Sequence, residues 1–176
     1  MNAALQKPII VISWDGLSKP LNYLQIDAPL DFNLFVFDYS GQDHSSALSQ
    51  LSPTFYYSQK TECKGDLIQA VYEYLINNNH TAFSYIGLLD DDILISVSDL
   101  NKILFIADVQ KLDVFQASLT HDSYYQHRQF IHKAGYLVLP THWVEIMAPF
   151  YSKDVFFEAG KDFNRSISGT GIDVYL

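Results

Sequence analysis

A chain of 176 residues with 48% apolar and 18% charged side chains can build one well-formed core, is short for two domains, and is neither disordered nor fibrous in composition. Its net charge of −9 argues against a sequence-independent grip on a phosphodiester backbone, which needs a positive surface to release counterions, so nucleic acid is not expected as a partner. The single cysteine, Cys63, excludes an intramolecular disulfide and a cysteine-rich zinc site, in agreement with a reducing compartment.

No segment approaches the roughly 20 apolar residues of a spanning helix. The opening MNAALQKPIIVISWDG reads as a first strand and not as a signal. The cytoplasm is the simplest location, with peripheral membrane contact left open.

Pro8 to Ser13 (PIIVIS) is a continuous β-branched run, as in a parallel strand covered on both faces. Asn33 to Phe37 and Thr54 to Tyr57 read the same way. In GDLIQAVYEYLINNN, residues 65–79, the apolar side chains Leu67, Ala70, Val71, Tyr74 and Leu75 recur on one helical face, and the asparagine run ends the helix. Phe83 to Leu89 is a strand closed by Asp90, Asp91 and Asp92. Ser98 is the expected N-cap of a helix over 98–111, with Asp99 in its first turn.

Val114 to Leu119 is expected to return as a strand. Beyond residue 120 the chain is polar and histidine-rich, and GYLVLPTHWVEIMAPFYS (135–152) suggests one or two strands broken by Pro140. Alternating strands and helices over the first two thirds imply an α/β fold, a mostly parallel sheet flanked by helices, in a single domain over 1–176.

Ligands of such sheets bind beyond the carboxyl ends of strands. The residues there are Ser13, Trp14 and Asp15 after the first strand and Asp38 after the second, placed to meet a base and ribose. Lys64, at a helix start with Gly65, either offers its ammonium and backbone N–H groups to that ligand or is a solvated surface lysine. Three adjacent carboxylates repel one another, by about 4 kcal/mol per pair at 4 Å and an effective dielectric of 20, so a cation is expected beside them. Their hard oxygens suit Mg²⁺ or Mn²⁺, which one or two carboxylates and substrate phosphates commonly hold. Glu145, an acid in an apolar segment, either pairs with a buried partner or faces the cleft. Trp143 beside it is either core or a platform for a sugar face.

The succession YIGLLDDDILIS, SDLNKILFIA, QASLTHDS, WVEIMAPFYS and SGTGID resembles the DUF707 family of glycosyltransferases over roughly residues 60 to 173. The resemblance implies a GT-A-like fold, the nucleotide-diphospho-sugar transferase architecture, in which a DxD-like motif holds Mn²⁺ or Mg²⁺ against the diphosphate of a nucleotide sugar. By that resemblance Asp90 and Asp92 are the metal and diphosphate contacts and Asp91 faces the ribose or sugar. Glu145 lines a sugar site, and Asp173 is the base that activates the acceptor hydroxyl of a glycan or small molecule, with inversion. Gly169 and Gly171 let the backbone approach the donor, while Thr170 stands where the family usually has tryptophan. A UDP-sugar is the donor implied by analogy.

Two other readings compete with this one. LLDDDIL also resembles the strand-end DxD of haloacid-dehalogenase-like phosphatases, whose first Asp attacks phosphorus, although that motif normally lies near the start of its sheet. A non-catalytic nucleotide-sugar binding protein would use the same cluster without transfer.

Overall fold

The computed structural model describes residues 6–49, 51–160 and 162–163. In chain order its strands are β1 (Ile9–Trp14), β2 (Leu24–Gln25), β3 (Asn33–Asp38), β4 (Phe55–Ser58), β5 (Tyr85–Leu89), β6 (Ile95–Ser96), β7 (Val114–Phe115) and β8 (Phe150–Ser152). The helices are α1 (Lys64–Asn77), α2 (Val97–Gln110) and α3 (Lys153–Ala159).

All six residues of β1 are buried. Successive side chains on a strand point to opposite faces, so a run without polar interruption needs cover on both. Ile9 and Val11 pack with Phe35, Phe37, Ile86 and Leu88 against α1 and α3. Ile10, Ile12 and Trp14 pack with Leu34, Val36 and Leu89 against α2 on the other face. The main sheet runs β4-β3-β1-β5-β8-β7. Its first four strands are parallel, Val11 lying opposite both Phe35 and Leu88, and β8 reverses direction against β5 and β7. A parallel pair of β2 and β6 forms a second, small sheet.

The α1 and α2 expectations hold with shifted ends. α2 begins at Val97, capped by Ser96, whose Oγ accepts the Asp99 N–H at 3.0 Å. The expected cap, Ser98, donates its hydroxyl to Asp27 instead, at 2.7 Å, because residue 96 is where β6 ends and the chain turns into the helix. The strand expected over 114–119 is confined to Val114–Phe115. Beyond it Gln116 turns its side-chain oxygen to the Glu145 N–H and leaves the sheet. Residues 135–149 contain no strand, and Tyr136 and Leu137 are exposed. Their apolar run has no neighbouring strand to pair with, so hydrophobicity alone does not extend the sheet.

Gly87 lies on β5, between Ile10 of β1 and Phe150 of β8. A Cβ there would stand 2.6 Å from the Phe150 ring and 3.0 Å from Ile10 Cδ1, and Phe150 is itself stacked on Phe115 at 5.1 Å. Gly87→Val is therefore expected to destabilise the chain by about 1–3 kcal/mol, the usual cost of overpacking, read as a lower urea midpoint at unchanged slope.

Candidate functional site

The chain builds outward from β1 through β3 to β4, then returns with β5 on the opposite side of β1. At such a reversal the connections leave the two central strands in opposite directions, and a crevice opens beyond their carboxyl ends. A pocket lies there, lined by Ser13, Trp14 and the loop to Leu24 on one side and by Leu89, Asp90 and Asp91 on the other. Ser13 is buried and donates its hydroxyl to the Leu89 carbonyl at 3.2 Å, tying the strand ends together. Trp14 is buried too, its indole N–H donating to the Ser18 carbonyl at 2.9 Å.

Asp15 shapes the loop that follows. Its Oδ1 accepts from the Leu17 N–H at 2.9 Å and from the Ser18 N–H and hydroxyl at 2.7 Å. Burial alone would raise its pKa, but these donors outweigh it and hold the carboxyl below its usual range. Asp15 thus enters the site as the organiser of its loop.

The three aspartates have three different environments. Asp90 is ion-paired with Lys64, whose ammonium also donates to the Leu88 carbonyl at 3.3 Å. Lys64 keeps only 12% of its side-chain exposure, so it is no solvated surface lysine. The cation expected beside the cluster is thus supplied first by the chain itself, from the first residue of α1. Burial pushes the Asp90 carboxyl above its ordinary value against the pull of Lys64, and Asp92 and Asp91 add to the rise. Asp91 accepts the Tyr39 hydroxyl at 2.8 Å. Burial, then the Asp91 carboxylate, raises the Tyr39 pKa, so the phenol stays protonated and donating. Asp92 is exposed.

Asp38 lies at the carboxyl end of β3 with no solvent exposure. Its carboxylate accepts from the Ser40 N–H at 2.9 Å, from His44 Nδ1 at 2.8 Å and from the Tyr56 hydroxyl at 3.0 Å. Those donors hold its pKa below the ordinary value although burial works the other way. Gly16, at φ +75°, rests against this knot, where a Cβ would stand 2.3 Å from His44 Nδ1. Asp38 therefore fixes the loop behind Trp14.

Glu145 is buried in the segment leading to β8. That segment runs beside the end of β5, where the Asp90 N–H donates to the Met147 carbonyl and the Leu88 N–H to the Pro149 carbonyl, both at 3.0 Å. Trp143 meets His127 and Phe130 edge to face, at 4.7 and 4.8 Å between ring centres, and His121 is exposed. Asp173, Gly169 and Gly171 lie outside the described residues.

Tyr39, His44, Tyr56 and Lys19 were not expected from the sequence. Tyr39 and His44 follow Asp38 by one and six residues, and that nearness to a strand-end acid is the only signal that would have singled them out.

The Asp38 knot has a pH signature. A carboxylate with a folded pKa below its unfolded value, about 3.9, stabilises the fold above that value and loses the contribution as pH falls through the lower, folded pKa. Asp38→Asn is expected to flatten the acid limb of the stability profile below about pH 4. It should also cost about 1–3 kcal/mol at neutral pH, from donors left without a charged acceptor. Urea unfolding midpoints between pH 3 and pH 7 check both expectations.

Among solved structures the chain is similar to S. aureus TarS (residues 1–349), at TM-score 0.60 and 10% identity over 86% of this chain and 48% of that one. A TarS complex with UDP-GlcNAc matches at TM-score 0.51 and 12% identity, over 69% of this chain and 37% of that one. A 4-diphosphocytidyl-2C-methyl-D-erythritol synthase from Anaerococcus prevotii matches at 0.52 and 10% identity, over 95% and 81% of the two chains. The chain thus spans about half the length of the TarS chain. No protein-family model matches, and no curated protein does, so the DUF707 resemblance rests on the order of its motifs. What the neighbours establish is architecture: the chain has the mixed α/β fold of the nucleotide-diphospho-sugar transferases.

Proposed function

We propose that the protein is a metal-dependent glycosyltransferase that moves a sugar, with inversion, from a nucleotide-diphosphate donor to a hydroxyl acceptor. The observation that carries this reading is the pocket at the β1/β5 strand ends, walled on one side by Asp90 and Asp91 and on the other by the loop after Trp14. Support for the donor class comes from the fold shared with TarS, which has been solved with UDP-GlcNAc.

The carboxylates fit a hard divalent cation unequally. Asp92 is exposed and makes no ion pair among the described residues, which leaves it open to Mn²⁺ or Mg²⁺. Asp90 shares one of its oxygens with Lys64, so as a ligand it would offer the other, and Asp91, held by the Tyr39 hydroxyl, is assigned to the ribose or sugar by the resemblance of its motif. Among the described residues no three such side chains are grouped to hold a metal. An ion held by one or two of these carboxylates would take its remaining ligands from substrate phosphates and water. When bound, the metal would offset the negative charge gathering on the leaving diphosphate.

Lys64 acts on the same charge from the protein side, since its ammonium lies at the end of β5 where the diphosphate would rest. Trp14, Ser13 and the loop ordered by Asp15 and Asp38 form the wall for the nucleoside. Asp173 takes the proton from the acceptor hydroxyl as the new glycosidic bond forms and the bond to the diphosphate breaks. Glu145 lines the sugar site. The roles of Asp173 and Glu145 are supported by the motifs SGTGID and WVEIMAP.

A thermal-shift screen tests this reading. UDP with Mn²⁺ at a hundredfold excess over Kd is expected to raise Tm by about 5–10 °C, from about 2.7 kcal/mol of linkage and about 2–4 °C per kcal/mol. Asp92→Ala should remove the part of the shift that requires Mn²⁺. If no nucleotide diphosphate moves Tm with metal present, the proposal fails. Turnover of p-nitrophenyl phosphate with Mg²⁺, abolished by Asp90→Ala, would replace it with the phosphatase reading.

A further inference from the structure

We infer that Lys19 forms a phosphate subsite in the strand-end pocket, contacting the diphosphate of the bound nucleotide. This deepens the nucleotide-sugar reading and rests on it. The pocket is acidic: Asp90 and Asp91 form one wall, in a chain of net charge −9. A polyanion entering such a pocket meets repulsion unless fixed cations face it. Lys64 divides its charge between Asp90 and the Leu88 carbonyl, so it offsets only part of the charge of a diphosphate. Lys19 is the lysine that lines the pocket, and among the described residues it makes no ion pair.

Lys19 stands in a loop that is ordered on both sides of it. Asp15 accepts three hydrogen bonds from Leu17 and Ser18, and the Trp14 indole holds the Ser18 carbonyl. On the other side of Lys19, Pro20 fixes the backbone and Leu21 takes a left-handed conformation, φ +53°, closed by the Leu24 N–H on its carbonyl at 3.0 Å. A loop held at both ends presents its ammonium at small entropic cost, which is how a binding group gains affinity without added contacts. A flexible ammonium is also a point charge that tolerates several phosphate geometries. The ligand class that matches is a nucleoside diphosphate or its sugar ester, with the charged group between Lys19 and the aspartate wall.

Isothermal titration of the full chain with UDP, uridine and inorganic pyrophosphate, with Mn²⁺ present, tests this. The wild type should bind UDP and pyrophosphate. Lys19→Gln should weaken both by about 10–100-fold, the range of a hydrogen bond to a charged group, and leave uridine within about twofold, while Lys19→Arg restores most of the loss. Lys19 is exposed, and an unchanged far-UV spectrum and Tm confirm the fold of each variant. Equal UDP and pyrophosphate affinity in Lys19→Gln overturns the subsite and leaves the nucleotide reading standing. Pyrophosphate binding lost in Lys19→Gln, with no nucleotide bound by the wild type, keeps the subsite and removes the nucleotide-sugar reading. Absence of binding by the wild type to all three ligands overturns both.

Discussion

Strand β1 is hydrogen-bonded to parallel partners on both sides, β3 and β5, and the site depends on that double pairing. Because the chain places β3 and β4 on one flank before returning with β5 on the other, the carboxyl ends of β1 and β5 adjoin while their continuations part. The crevice between them is a consequence of chain order. The Ser13 hydroxyl on the Leu89 carbonyl fastens its floor, and the buried alternation of β1 against two helical layers keeps that floor rigid. Pocket walls then follow from whatever each strand carries just past its end.

Those walls divide the charged residues into groups that hold the structure and groups that remain open. Asp38 and Asp15 spend their oxygens on backbone and side-chain donors, and both ionise more readily for it. They order the loop behind Trp14. Asp90 is matched by Lys64, Asp91 by Tyr39, and Asp92 faces outward. Removing one partner of a half-buried pair costs more than the pair contributes, because the other charge is left without compensation. Asp90 and Lys64 therefore depend on each other for compensation at the end of β5.

The chemistry of the pocket is thereby asymmetric. One wall carries the Asp90 and Asp91 carboxylates, the other an ordered loop with an indole, hydroxyls and an ammonium. The proposed nucleoside diphosphate would present a flat base and a charged tail to these two walls.

Composition and periodicity determined the α/β class, β1, β3, β5 and the two long helices, because a buried strand or an amphipathic helix writes its period into consecutive residues. They also marked Asp90, Asp91 and Asp92, since clustered charge between apolar runs has no local explanation. What local pattern could not reveal is which groups face one another. The pairing of Lys64 with Asp90 spans 26 residues and that of Tyr39 with Asp91 spans 52. The short β7, the small β2/β6 sheet and the irregular course of 116–149 were equally hidden, because a strand persists only where a neighbour offers hydrogen bonds. Sequence named the acids at the strand ends, and tertiary structure alone decided which of them are satisfied within the fold and which stay open, because electrostatic and hydrogen-bond partners are set by distance in space and not along the chain.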